Sequence, residues 1–266
     1  MKFRSLYVLC SLWTTAVLML GCGGGGASSS GTPQAPAPAV VSAGVYSASV
    51  SQRTFVGALT SDNYFYGVHF NALANAPDDI YSGRISGLGT SSVFSPTPLS
   101  LYQNTTARSF AVNASMAPGS GNLLNILLSQ PSGTALNFGA TPASLLPAVL
   151  SNVASTWSGK FSYGLGAPTN FSITIDGSGV ITSASAFGQN SQCRITSGSQ
   201  LSAANTSLGL FNLNLVIDKT NCPQFTDQTL SGVAFVLLNP ESGITQRLIW
   251  IASSSSGTGI AFKADR

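Results

Sequence analysis

Apolar and polar residues alternate along the chain from residue 43 onward. Phe171, Ile173 and Ile175, for example, alternate with polar residues and end at the turn sequence 176–179 (DGSG). Because successive side chains of a strand point to opposite faces, this pattern predicts strands with one buried face. Similar segments recur, separated by turns rich in Gly, Ser, Asn and Asp. The alternation therefore predicts an all-β protein.

About eight such segments fall in residues 43–141 and about eight more in 156–266, with a linker at 142–155. Eight strands on roughly 100 residues leave no room for long crossovers, so sequence neighbours must pair as hairpins. Closing each meander would remove exposed strand edges. The predicted fold is two small antiparallel up-and-down eight-stranded barrels or barrel-like sheets. The alternative is two halves of one sandwich.

A weak internal repeat supports the division into two units. Ala43–Ser47 (AGVYS) opens the first unit, and Ala154–Ser158 (ASTWS) opens the second. Gly133–Phe138 (GTALNF) closes the first, and Gly257–Phe262 (GTGIAF) closes the second. The alternative is that these short likenesses arise by chance.

Charged residues make up only 7% of the chain, whereas 44% are hydrophobic. A membrane-spanning protein is the first alternative, but no apolar run past residue 22 approaches the roughly 18 residues that a spanning helix needs. A surface of Ser, Thr and Asn is instead typical of secreted β-proteins. Without Lys2 and Arg4 the chain has nine cations and eight acids. Because these charges are scattered, no stripe exists to bind phosphates, and we predict no nucleic-acid partner.

The N-terminus carries the features of an export signal. Residues 1–4 (MKFR) are positively charged, and Leu6–Leu20 is apolar, as in a secretory signal peptide. Met19–Cys22 (MLGC) resembles the bacterial lipobox. This predicts a signal peptide over 1–21 and implies acyl chains such as palmitate on Cys22, which would anchor the protein to a membrane. Cleavage without lipidation and a transmembrane helix are the alternatives.

Residues 22–42 are uncharged and rich in Gly, Ser, Ala and Pro, which predicts a flexible tether between membrane and body. Gly23 follows the lipidated cysteine, where Asp would indicate retention in the inner membrane. We therefore predict a cell-envelope protein anchored to the outer membrane, on its periplasmic face or at the cell surface.

Cysteine usage predicts one disulfide. Cys10 leaves with the signal and Cys22 carries lipid, so Cys193 and Cys222 remain in an oxidising compartment and should pair. Cys193 begins a predicted strand at 192–200, and Cys222 follows one at 208–218. In a hairpin these ends meet at one rim. A metal or redox pair is the alternative, but no CxxC spacing or neighbouring His supports it.

Several short motifs of the second unit carry a resemblance: Trp157–Gly159, Asp176–Gly177, Cys193, Cys222–Pro223, Ser231–Ala234 and Gly257–Phe262. With the lipobox, they make the chain resemble a group of uncharacterised proteobacterial lipoproteins with two consecutive β-rich units. The resemblance implies the fold and the anchor but no activity. By fold analogy alone, the chain is also similar to the barrels of surface lipoproteins that bind transferrin or complement factor H. Those partners do not carry over, because fold does not determine function.

Candidate catalytic residues are few. His69 is the single histidine, and we expect an exposed strand residue there, without a second His to complete a metal site. No GxSxG motif presents a nucleophilic serine. Asp78 and Asp79 follow Pro77 in a predicted loop, where calcium binding is the alternative to ordinary turn chemistry. We predict neither enzyme activity nor a cofactor or metal; a hydrolase using His69 or an acidic pair is the alternative.

Aromatic residues offer the remaining functional hypothesis. Tyr64, Tyr66 and Phe70 share one strand face, while Trp157 and Trp250 lie in the second unit. They either pack a core or line a ligand pocket, since small barrels are often filled with side chains. The predicted function is a non-enzymatic binding or interaction module whose partner is an unknown protein. The alternative is a lipocalin-like carrier of a small apolar ligand inside one barrel.

Overall fold

The computed structural model of the protein describes residues 41–71, 75–86, 97–103, 108–120, 123–129, 135–163, 167–187, 193–218, 220–222, 225, 228–255 and 258–266. These residues belong to one compact unit. The predicted signal peptide, Cys22 and all but the last two residues of the predicted tether lie outside the described residues.

The first eight strands form one antiparallel sheet. They are β1 (Gly44–Val50), β2 (Arg53–Leu59), β3 (Tyr64–Asn71), β4 (Ala76–Arg84), β5 (Thr97–Gln103), β6 (Arg108–Pro118), β7 (Leu124–Ser129) and β8 (Leu136–Pro142). Each strand pairs with its neighbour in sequence, and β8 returns to β1 to close a barrel. The closing pair is short, because β1 and β8 meet only at Tyr46–Pro142 and Ser47–Thr141.

The remaining eight strands form a second antiparallel sheet. They are β9 (Ser155–Tyr163), β10 (Thr169–Ile175), β11 (Ile181–Ala184), β12 (Gln200–Asn205), β13 (Leu210–Val216), β14 (Thr229–Glu241), β15 (Ile244–Ser253) and β16 (Gly259–Asp265). Here β16 pairs with β9 over five positions. An isolated bridge, Val180–Gln200, joins the β11 and β12 ends. The prediction of an all-β fold with two up-and-down, barrel-like sheets of eight strands is confirmed.

Both barrels begin in the same way. Tyr46 of β1 and Trp157 of β9 point into their barrels and are buried. The Tyr46 hydroxyl donates to the Ser42 carbonyl at 2.7 Å, and the Trp157 indole donates to the Val153 carbonyl at 2.8 Å. Each aromatic residue thus satisfies its polar atom four residues back, in the segment that leads into the barrel. The two opening marks of the sequence repeat have equivalent structural positions.

Apolar side chains fill both barrels. The first core includes Phe55, Phe65, Tyr81, Met116 and Ile126. The second includes Trp157, Phe161, Phe211, Trp250 and Phe262, with ring centroids of Phe161 and Phe171 4.7 Å apart. Packed interiors of this kind are usual for small eight-stranded barrels.

A third apolar cluster, which we call the interface cluster, joins the two barrels. Its members lie on the outer faces of β1–β4 and of β13–β16: Val45, Val56, Ala58, Val68, Phe70, Ile80, Leu210, Val233, Phe235, Leu237, Ile249, Ile251 and Ala261. The Ser82 hydroxyl also donates to Ser253 across this interface at 3.0 Å. Parts of both barrels are therefore buried on both faces.

The predicted linker adds to this packing. The Leu146 amide donates to the Val236 carbonyl and the Leu238 amide donates to the Ser144 carbonyl, each at 2.9 Å. A single 3-10 turn, Leu150–Asn152, follows before β9. The unit boundaries at 141, 142–155 and 156 stay predictions, although β8 ends at Pro142 and β9 begins at Ser155.

One predicted strand is wrong. Within the predicted strand 192–200, the described residues 193–199 contain a turn, and β12 begins only at Gln200. Gly198 adopts a φ of +98°, and the Ser199 hydroxyl accepts a hydrogen bond from the Val216 amide at 2.7 Å. A left-handed glycine ends a strand, and the serine side chain competes with the ladder for the backbone. Cys193 therefore lies in an isolated bridge with Phe187 and not in a strand.

Candidate functional site

His69 of β3 lies inside the first barrel with only 1% of its surface exposed. Its Nδ1 is 3.0 Å from the Tyr81 hydroxyl, whereas its Nε2 has no hydrogen-bond partner. The Phe55 ring packs edge-on against the imidazole with centroids 5.1 Å apart. Burial, with a smaller contribution from the Arg53 charge, lowers the pKa of His69 to about 3. The imidazole is therefore neutral at physiological pH, with one donor and one acceptor nitrogen.

The expectation that His69 is exposed is wrong. Sequence alternation assigns the Phe65–His69 face to solvent because the opposite face carries Tyr64, Tyr66 and Phe70. The structure buries both faces, since Val68 and Phe70 contact the second barrel while Phe65 and His69 fill the first. The nearly unbroken apolar run of β3 is the signal that could have revealed this, because such runs are typical of strands covered on both sides.

The ladder between β1 and β8, with two pairs, is the shortest in the closed first barrel. Within the described residues, Ala48–Val50 and Leu136–Ala140 make no ladder pairs with each other, because the β1–β8 register ends at Ser47–Thr141. Ala48, Val50, Leu136 and Phe138 pack against the first core but remain partly exposed. We call this stretch without ladder pairs the β1–β8 seam. Its partly exposed side chains pack against the apolar interior that contains His69.

The predicted loop at Asp78 and Asp79 is a strand. Both residues belong to β4, and both carboxylates are buried. The Arg53 guanidinium contacts Asp79 at 2.7 Å and Asp78 at 3.0 Å. Antiparallel pairing of β2, β3 and β4 brings these charges together, so they satisfy one another. Among the described residues, no group of three His, Cys, Asp or Glu side chains could hold a metal ion.

The structure does not bring the five candidate pocket aromatics together. The rings of Tyr64 and Tyr66 are 4.7 Å apart on the outer side of the first barrel. Phe70 lies in the interface, where the Lys263 ammonium is 5.5 Å from its ring centroid. Trp157 and Trp250 belong to the core of the second barrel, and each is 1% exposed. Each aromatic thus has a packing role in the structure.

A buried charged cluster lies where β15 and β16 approach the first barrel. Arg247 is 3% exposed and contacts Glu241 at 2.6 Å and Asp265 at 2.5 Å. Lys263 is equally buried, and its ammonium donates to the Asn75 amide oxygen of the first barrel. Burial and the nearby Arg247 charge lower the pKa of Lys263 to about 8. The sequence does not reveal this cluster, because its charged residues are isolated along the chain. They come together only when the two barrels pack against each other.

Two clefts flank the linker at the junction of the barrels. One, of about 590 Å³, is lined by the start of β1, by Leu123 and Leu124, by Leu145 and Leu146, and by residues 206–209. The other, of about 450 Å³, carries the hydroxyl residues Ser47, Ser49, Thr54, Thr141 and Ser144, with the end of β14 and Arg247. Their volumes lie in the range of ligand-binding sites.

Cys193 and Cys222 form a disulfide with Cα atoms 4.9 Å apart. Both residues are buried within the second core. The predicted pairing is therefore present, although the predicted strand at 192–200 is not the element that positions it. The bridge from Phe187 and the turn at Gly198 position Cys193 instead.

Within the described residues, the structure contains no helix that is long and apolar enough to cross a membrane.

Comparisons with known proteins add little. No protein-family model matches the chain, and no curated protein matches it. Among solved structures, the chain is similar to a crystal structure described as a "putative outer membrane protein" from Bacteroides fragilis NCTC 9343. That likeness has 12% sequence identity and a TM-score of 0.24, and it covers 84% of this chain and 97% of that one. A likeness at this level carries no argument about this protein.

Proposed function

We propose that the protein is a membrane-anchored envelope lipoprotein that acts as a non-enzymatic binding module, with a partner held at the barrel junction. The observation that carries the proposal is the pair of clefts on either side of the linker, of about 590 and 450 Å³. Side chains from both barrels and from the linker line these clefts. The interface cluster beneath them fixes the two barrels, so the lining residues are held in place before binding.

The anchor belongs to the same proposal and rests on the sequence. Met19–Cys22 supplies the lipobox, and residues 23–42 would connect the lipid to the start of β1. We propose outer-membrane residence because Gly23, and not Asp, follows Cys22. Labelling with palmitate should mark the natural chain and not Cys22→Ser, and fractionation should place the natural chain in the outer membrane. Recovery in the inner membrane would refute the proposed residence.

Site-specific photo-crosslinking in intact cells tests the binding role. A photoreactive amino acid at Ser207 samples the first cleft, and one at Ser49 samples the second; both residues are exposed. Ser178, exposed on the β10–β11 turn, is the matched control. We expect a discrete crosslinked species from a cleft position and none from Ser178. Identical patterns at all three positions would contradict the proposal, as would substrate turnover that His69→Ala abolishes.

A lipocalin-like carrier is the second candidate function, and the β1–β8 seam favours it. The seam exposes inward-facing apolar side chains of the first barrel, and the unpartnered Nε2 of His69 lies behind them. In the second barrel the edge strands β11 and β12 meet through the isolated Val180–Gln200 bridge, but Phe187 and Cys193, which follow β11 along the chain, are buried in the core there. Native mass spectrometry after mild extraction should reveal a co-purifying small molecule if this candidate is correct.

A further inference from the structure

We propose that the β1–β8 seam admits a small, uncharged apolar molecule carrying one hydroxyl group, and that the Nε2 atom of His69 binds that hydroxyl. This inference rests on the second candidate function.

The β1–β8 seam is the proposed entrance. β1 pairs with β2 at seven positions and with β8 at two, so the wall is weakest along the seam. Ala48 and Val50 on one side, and Leu136 and Phe138 on the other, belong to the inward-facing rows of their strands. All four are partly exposed. The seam therefore presents an apolar rim that leads inward.

Phe138 lies between this rim and His69. Its ring centroid is 6.1 Å from that of the imidazole and 4.9 Å from that of Phe55. Phe138 is partly exposed, whereas His69 and Phe55 are buried. Its side chain thus separates the seam from His69, and rotation of this side chain towards the seam would expose the imidazole edge.

The polar atom that would bind the ligand is Nε2 of His69, which is buried without a hydrogen-bond partner. A buried polar atom without a partner is unfavourable, so a ligand that supplies a hydrogen bond to Nε2 removes this cost. Nδ1 is already engaged with Tyr81, and the tautomer decides whether Nε2 donates or accepts. A hydroxyl group satisfies either tautomer, because it can donate and accept.

The surroundings of His69 favour an uncharged ligand. The imidazole is neutral at physiological pH, so it cannot neutralise a carboxylate or phosphate. The nearby cation, Arg53, is paired with Asp78 and Asp79. Burial of an unpaired ionised group in an apolar barrel is costly. The site therefore selects uncharged molecules.

The test compares 2-naphthol with 2-methylnaphthalene, which has a similar shape but lacks the hydroxyl. Binding is titrated by fluorescence on the exported chain carrying Cys22→Ser, purified without detergent. We expect the natural body to prefer 2-naphthol about tenfold, since a site built to pair a hydroxyl rejects the analogue lacking it. His69→Phe should remove the preference and leave 2-methylnaphthalene binding within about twofold.

Two further variants test the entrance and keep the proposal refutable. Phe138→Ala should strengthen binding of both compounds several-fold, whereas Asn137→Ala, exposed on the same strand, should leave it unchanged. Equal binding of both compounds by the natural protein, or a preference that survives in His69→Phe, would overturn the hydroxyl site and leave the carrier function standing. No binding of either compound by the natural protein and by Phe138→Ala would overturn both.

Discussion

At the scale of single residues, His69 shows how position decides chemistry. A histidine on a strand is ordinarily a group that titrates near neutral pH. Here Phe55 and Phe138 pack on the buried ring and Tyr81 is hydrogen-bonded to one nitrogen; burial lowers the pKa of His69 and disfavours the charged form. The residue therefore acts as a neutral hydrogen-bonding group. It also becomes a source of acid sensitivity.

The pH dependence of stability follows from this burial. The pKa of His69 is about 3 in the folded protein and near 6.5 in the unfolded chain, so only the unfolded chain takes up the proton between these values. Stability should therefore fall as the pH decreases from about 6.5 towards 3, with His69 contributing roughly 1.4 kcal/mol per pH unit. Urea denaturation at several pH values measures this. His69→Phe should show a shallower slope, and identical slopes for both proteins would contradict the assignment.

Gly159 and Gly232 are examples of residues fixed by close backbone approach. A Cβ atom at Gly159 would lie 1.9 Å from the Lys263 carbonyl oxygen, and one at Gly232 would lie 2.0 Å from the Ile251 oxygen. These strand glycines stand in two of the motifs that carry the lipoprotein resemblance. The structure thus gives the motifs a physical role, which is tight strand packing in the second barrel.

We expect Gly159→Ala to destabilise the protein by more than about 2 kcal/mol, because backbone atoms of β16 would have to move. Gly177→Ala is the matched control, since a Cβ atom there would meet nothing within 4 Å. Thermal unfolding of the two variants measures the difference. Similar midpoints would show that β9 and β16 separate more easily than their pairing indicates.

At the scale of elements, alternation and turn residues predicted the strands well, including their number and their meander order. They failed where a strand is buried on both faces, as in β3, and where a polar run contains a left-handed glycine, as at Gly198. The reason is that alternation in the sequence indicates which face of a strand would be exposed if one sheet stood alone. It does not indicate whether another sheet covers the outer face.

The contribution of the Cys193–Cys222 disulfide to stability can be tested directly. It links Cys193, which lies along the chain between β11 and β12, to Cys222 in the segment after β13, at a sequence separation of 29. Cys193→Ser should lower the free energy of unfolding by roughly 3.5 kcal/mol, on the chain-entropy estimate for a loop of this length. Chemical denaturation measures this loss. The double variant with Cys222→Ser should lose little more, because both changes remove one bond; an additive loss would contradict it.

At the scale of the whole molecule, the interface cluster makes two barrels into one body. The candidate site could be predicted only in part for this reason. The sequence indicates the disulfide and the scarcity of catalytic residues. The seam, the clefts and the buried charged cluster around Arg247 arise instead from barrel closure and packing. No pattern along one strand records contacts between residues as distant as Asn75 and Lys263.

Phe235 tests the interface. It is fully buried on the outer face of β14, within the cluster shared by the barrels. We expect Phe235→Ala to cost about 3–4 kcal/mol through loss of buried area and creation of a cavity. Ser231→Ala, exposed on the same strand, should change stability by less than about 0.5 kcal/mol. Calorimetry gives both values, and a loss below 1 kcal/mol for Phe235→Ala would show that the barrels are only loosely joined.

The hydrogen bond from Tyr46 to the Ser42 carbonyl has a mechanical consequence. A pull on the chain ahead of Ser42 reaches β1 through the backbone, and it is opposed by this hydrogen bond and by the packing of Val41 against the first core. β1 is held by seven pairs on its β2 side and by two on its β8 side. A traction force would therefore peel β1 from β8 first and widen the seam while the hairpin with β2 still holds. If the protein is anchored as proposed, strain on the tether would thus change access to the interior of the first barrel.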